Sequence, residues 1–142
     1  MGGATALMAA STELRFKVCV ALDSWMFPIK NEPMEMIPQP VLLVNTETMH
    51  SDIPNQEKMK EIMAILKNDD PERRQAFTIN NSSHFHQSDI PYVFSSTALF
   101  FSGKFEWKKC DPIDVHDLTV AMSLKFINKF LSMISLSLFF FS

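Results

Sequence analysis

Apolar residues in this chain fall in short runs separated by polar turns. Val18-Cys19-Val20-Ala21-Leu22, Val41-Leu42-Leu43-Val44 and Ala76-Phe77-Thr78-Ile79 stand out. Short runs with little polar interruption fit strands covered on both faces, as in a parallel sheet. They predict strands over Phe16 to Leu22, Val41 to Val44 and Gln75 to Ile79. Between the last two, Met59, Ile62, Met63 and Leu66 recur at i, i+3, i+4 and i+7. That spacing places one apolar face on a helix from about Gln56 to Lys67. Asn55 can cap it and Asn68-Asp69-Asp70-Pro71 stops it.

The remaining segments are less regular. Gly3 to Thr12 reads as a helix of small and apolar residues. Ser24 to Pro40 reads as a loop, because Pro28, Pro33, Pro38 and Pro40 break regular structure. A second loop follows from Asn80 to Pro91, then an aromatic-rich helical segment from Tyr92 to Phe101. Asp114 to about Ser132 reads as a final helix, with Val120, Leu124, Ile127 and Leu131 on one stripe. The strand–strand–helix–strand order fits the edge of a mostly parallel sheet in an α/β fold.

Composition narrows the function. The 142 residues suit one modest domain. A net charge of −3 gives no basic footprint, so no nucleic-acid partner is expected. The three glycines are Gly2, Gly3 and Gly103, too few and too scattered for a phosphate-cradling loop. Cys19 and Cys110 make no disulfide framework, and Cys19 reads as a buried thiol. No signal peptide is evident, since the first basic residues follow the apolar ones. The apolar stretch from Phe130 to Phe141 is shorter than the ~20 residues a membrane-spanning helix needs.

Candidate chemistry sits at Asp23 and His84, each just past the end of a predicted strand. In open α/β sheets, ligands and catalytic groups collect outside the carboxyl ends of the strands. An Asp and a later His there are two members of a hydrolase triad in the order Ser…Asp…His. Other readings stand beside this one. Asp23 could be a turn or cap residue, and His84 a surface histidine. His84-Phe85-His86 with Asp89 could approach a metal, although neither a third histidine at a ligand-like spacing nor a Cys pair supports it. Trp25, Met26 and Phe27 fit either the core or a pocket wall.

The residues also resemble a known family. Gly2-Gly3-Ala4-Thr5, Leu22-Asp23-Ser24-Trp25-Met26-Phe27-Pro28, Ile37-Pro38-Gln39-Pro40 and Thr78-Ile79 through Ser82, His84 and Asp89 carry the resemblance. Together they are similar to the platelet-activating factor acetylhydrolases, the plasma and type II intracellular group of lipoprotein-associated phospholipase A2-like α/β-hydrolases. The resemblance covers residues 1 to 131 and leaves 132 to 142 as an unmatched apolar tail. It implies the C-terminal half of an α/β-hydrolase fold, a mostly parallel sheet with flanking helices.

The implied activity is serine-dependent hydrolysis of the sn-2 acetyl ester of platelet-activating factor and related phospholipids. The family elbow, Gly-His-Ser-Phe-Gly-Gly-Ala-Thr, aligns its Gly-Gly pair with Gly2 and Gly3. The nucleophile would then precede Met1, and Met1 would hold the position of an oxyanion-hole donor. Asp23 falls on the triad aspartate and His84 on the histidine; a slipped alignment would make His86 the base. Trp25 and Phe27 fall on a loop that borders the substrate. The resemblance implies no cofactor and no metal. It implies a phospholipid substrate and a membrane or lipoprotein surface as partner, with Leu99, Phe100 and Phe101 as the anchoring face. On this reading the chain is a fragment, inactive alone. The alternative is a non-catalytic lipid- or protein-binding module built on the same fold. The family has secreted and cytoplasmic members, so no compartment follows.

Overall fold

A computed structural model describes residues 2–32, 37–51, 53–66, 71–93 and 110–140. Its centre is a parallel sheet of three strands in the order β1-β2-β3: β1 is Cys19–Leu22, β2 Val41–Thr46 and β3 Arg74–Ile79. Leu22 lies level with Val44 on one side of β2, and Thr46 level with Ile79 on the other. Helix α1 (Gly2–Thr12) precedes β1. Helices α2 (Glu47–Ser51) and α3 (Ile53–Leu66) connect β2 to β3, and α4 (Ile90–Val93) and α5 (Pro112–Phe140) follow the sheet.

Alternation along β2 divides the core into two layers. Val41 and Leu43 pack with Ala4, Leu7 and Ala10 of α1 and Ile62 of α3. Leu42 and Val44 point the other way and pack with Ile79 and with Val115, Phe126 and Phe130 of α5. All six residues of β2 are buried, as expected for a strand covered on both faces. Helices therefore flank the parallel sheet, and the molecule is an α/β protein.

The elements depart from the sequence expectation in several places, and β2 runs on past the expected Val44 to Thr46. β1 starts at Cys19 rather than Phe16. Its ladder with the next strand begins at the bond from Cys19 N–H to Pro40 O (2.9 Å), and Pro38 and Pro40 have no N–H to extend it. Arg74 instead donates to the carbonyls of Ile37 (2.6 Å) and Gln39, and Arg73 to that of Pro38 (2.8 Å). Helix α3 begins at Ile53, so Asn55 lies inside it rather than capping it. Pro54 is tolerated there because the first turn of a helix has no internal partner for that N–H.

Helix α5 also differs. It runs from Pro112 to Phe140, beyond the expected end at Ser132. Its covered face is Val115, Thr119, Phe126 and Phe130, not the expected stripe: Val120, Leu124 and Leu131 are exposed. Both stripes are apolar at helical spacing, and the one carrying two phenylalanines, with more area to bury, turns inward. Among the described residues no helix is long and apolar enough to cross a membrane.

Candidate active site

Asp23 is the first residue past β1, and its backbone turns through a positive φ of 42°. Aspartate tolerates that region better than most residues do. The turn holds the N–H of Asp23 on Val44 O (2.7 Å) and places the side chain over the end of β2. The carboxylate is buried, and Oδ1 accepts two hydrogen bonds from Thr46, from its backbone N–H (2.6 Å) and its hydroxyl (2.7 Å). A buried carboxylate needs such donors, because an unmet charge there is costly.

The other oxygen, Oδ2, lies 2.5 Å from Nδ1 of His84, sixty-one residues further along the chain. His84 opens a single 3-10 turn after β3, over His84–Gln87. Two features deliver it. Asn81 turns the chain through φ 57°, and its N–H donates to Oε2 of Glu47 (2.6 Å). The N–H of His84 itself donates to the hydroxyl of Thr48 (3.2 Å). The start of α2 thus anchors the turn that carries the imidazole.

With Nδ1 donating to Asp23, the ring is held in one tautomer and Nε2 is the nitrogen left to accept a proton. The imidazole is about half exposed, against 1% for the Asp23 side chain. It opens onto a cleft of about 410 Å³, lined by Gly2 and Gly3 of α1, Val20 and Leu22 of β1, Asp23, His84 and Gln87. The start of α1 can approach so closely because residue 3 is glycine. A Cβ there would lie 2.3 Å from Ser24 Oγ and 2.7 Å from Leu22 O.

His86 has other partners. It is buried, its Nδ1 accepts the N–H of Ser83 (3.0 Å), and its Nε2 lies 3.2 Å from Cys110 O. That bonding fixes the Nε2–H tautomer and closes the 3-10 turn from within. The two imidazoles therefore face different neighbours, and it is His84 that meets Asp23. Asp89 is exposed and its carbonyl accepts the N–H groups of Tyr92 and Val93. No group of three His, Cys, Asp or Glu suited to a metal occurs among the described residues.

Trp25 and Phe27 do not line the cleft. Their rings stack on each other at 5.6 Å, half-exposed, with Lys30 Nζ over Phe27, while Met26 between them enters the core. Cys19 is buried, and loss of hydration pushes its thiol up to about 11. Met1 and the segment Leu99, Phe100 and Phe101 lie outside the described residues. The sequence reading missed Thr46, Thr48 and Glu47. Their roles depend on register, and the one available signal was the polar end of the second apolar run.

A family model of platelet-activating factor acetylhydrolase, isoform II, matches residues 1–135. The chain belongs to this family. The platelet-activating factor acetylhydrolase of Gallus gallus is 33% identical over 134 residues, which is 93% of this chain and 30% of that protein. The protein of the same name from Bos taurus is 33% identical over 99 residues, 69% of this chain and 20% of its own length. That from Cavia porcellus is 31% identical over 134 residues, 93% of this chain and 28% of its own. The chain thus spans less than a third of the length of these relatives.

Proposed function

We infer that Asp23 and His84 are the acid and base of a serine esterase that cleaves the sn-2 acetyl ester of platelet-activating factor and related short-acyl phospholipids. The observation that carries this reading is the 2.5 Å contact between Asp23 Oδ2 and His84 Nδ1, at the mouth of a cleft shared with Gly2 and Gly3. Family membership supplies the substrate class.

Among the described residues, no serine, threonine or cysteine lines the cleft. The nucleophile of this reading lies ahead of Gly2-Gly3, on chain upstream of Met1, and the present residues form the C-terminal half of the hydrolase fold. The serine hydroxyl attacks the ester carbonyl while Nε2 of His84 takes its proton. Asp23 keeps the imidazole in the required tautomer and stabilises the imidazolium. The imidazolium then protonates the departing alcohol, the lysophospholipid. Water, activated by the same nitrogen, releases acetate from the acyl-enzyme. The position of Met1 supplies one backbone donor to the oxyanion. Trp25 and Phe27 would meet the substrate only through contacts made by chain outside this segment.

On this reading the chain by itself is inactive. The test is acetate release from platelet-activating factor, in the presence of EDTA, by this chain and by a longer chain that continues upstream through a Gly-x-Ser turn. The longer chain turns over and this chain does not. Turnover by this chain alone would place the nucleophile elsewhere. A longer chain silenced by EDTA would favour a metal mechanism, and one that binds lipid without turnover would favour a non-catalytic module.

A further inference from the structure

One residue of the Asp23–His84 cleft, Gln87, is not needed to hold either of those side chains. It stands three positions after His84, at the other end of the single 3-10 turn His84–Gln87. A 3-10 helix has three residues per turn, so side chains at i and i+3 leave the same side. Its rise separates them by about 6 Å along the axis. One water crosses such a gap with a hydrogen bond at each end. Bonds from His86 N–H to Ser83 O (2.9 Å) and from Ser88 N–H to Phe85 O (3.1 Å) close the turn and hold that spacing.

The amide of Gln87 has a fixed orientation. Its Nε2 donates to Oγ1 of Thr119 on α5 (3.0 Å). Thr119 is buried, and its own hydroxyl proton goes to Val115 O, one turn back (2.8 Å). That oxygen can therefore only accept from Gln87, and the NH2 end must be the one that meets it. Oε1 is the end left over, and among the described residues it accepts no hydrogen bond. Gln87 is half-buried, and its Oε1, unlike Ser24 Oγ or Asn45 Oδ1, is not sealed from solvent. A water can reach it.

We propose that Gln87 Oε1 accepts a hydrogen bond from the water that hydrolyses the acyl-enzyme, and so acts on deacylation rather than acylation. This rests on the serine-esterase reading of the cleft. An attacking water has two O–H groups. Nε2 of His84 takes the proton of one as the water oxygen bonds to the acyl carbon. The other O–H stays on that oxygen and needs an acceptor that aims the lone pair at the carbonyl. When the intermediate collapses, the bond to the serine oxygen breaks and the imidazolium returns its proton there. The second hydrogen leaves with acetic acid, which ionises in bulk water. The ester substrate brings no donor to Oε1 in the first half of the reaction, so acylation does not use it. Thr119 is a positioning residue, because it acts only through the amide.

The test uses the longer, serine-containing chain and para-nitrophenyl acetate in stopped flow. The burst of nitrophenolate reports acylation. Decay of the acetyl-enzyme, followed by mass spectrometry once substrate is exhausted, reports deacylation. Gln87→Met keeps the length and loses the amide. It leaves the burst rate within twofold of the parent and slows the decay about tenfold. Thr119→Val, which frees the amide to turn, gives the same split in smaller degree, and Thr119→Ser restores the parent behaviour. Equal falls in burst rate and decay rate overturn the proposal, because they put Gln87 in substrate binding or in the fold. So does a decay within twofold of the parent in Gln87→Met. A longer chain that hydrolyses no ester fails the esterase reading itself, and the proposal with it.

Discussion

At the scale of single residues, the candidate site depends on how Asp23 is held. Its carboxylate faces Thr46 with one oxygen and His84 with the other, so Thr46 sets the angle at which the imidazole is met. Thr46→Val removes the hydroxyl donor from a buried charge and is expected to cost about 1–3 kcal/mol. Thr46→Ser, which keeps the donor, recovers most of that loss in urea unfolding. The two glycines make a paired test. Gly3→Ala forces a Cβ onto Ser24 and Leu22, and overpacking of this kind costs about 1–3 kcal/mol. Gly2→Ala meets nothing within 4 Å and is expected to be neutral or stabilising, since alanine favours helix. Equal effects at the two positions in thermal unfolding would contradict the close approach of α1 to the Asp23 turn. Asp23 and His84 could be picked out in the sequence because each follows an apolar run. Thr46 could not, because its partner is set by the parallel register. The preference for His84 over His86 rests on the resemblance, because the ring partners that distinguish them, Asp23 for His84 and Cys110 O for His86, lie far along the chain.

At the scale of elements, the buried strands were the readable part. β2 is apolar over four residues and buried over six, and its two extra residues, Asn45 and Thr46, are polar, so hydropathy alone does not include them. Helix α5 was harder, since it offers two apolar stripes and only packing against Leu42 and Val44 selects between them. The strand β1 carries a pH test. Burial raises the Cys19 thiol from its ordinary 9.0 to about 11, so the folded state holds the proton where the unfolded chain has lost it. The stabilisation is fully present below pH 9 and is lost as pH rises from 9 to about 11. The urea midpoint is therefore expected to fall over that window, and Cys19→Ala to flatten the fall. A midpoint in the variant that falls as steeply as in the parent would show that another group governs the alkaline limb.

At the scale of the whole molecule, the sheet has three strands, and the outer edge of β1 has no partner strand among the described residues. An open strand edge is a template for pairing with another chain. This chain alone is expected to associate with concentration in sedimentation velocity, and a monomer at every concentration would contradict that reading of the edge. The family relatives are more than three times as long, so both the edge and the cleft are where further chain would dock in the proposed enzyme. The central claim is that Asp23 and His84 act together on an ester, and kinetics of the longer, serine-containing chain test it most directly. Asp23→Ala and His84→Ala, each shown to be folded by circular dichroism, should lower kcat for acetate release by roughly 10⁴-fold or more. Activity within tenfold of the parent in either variant would contradict the account.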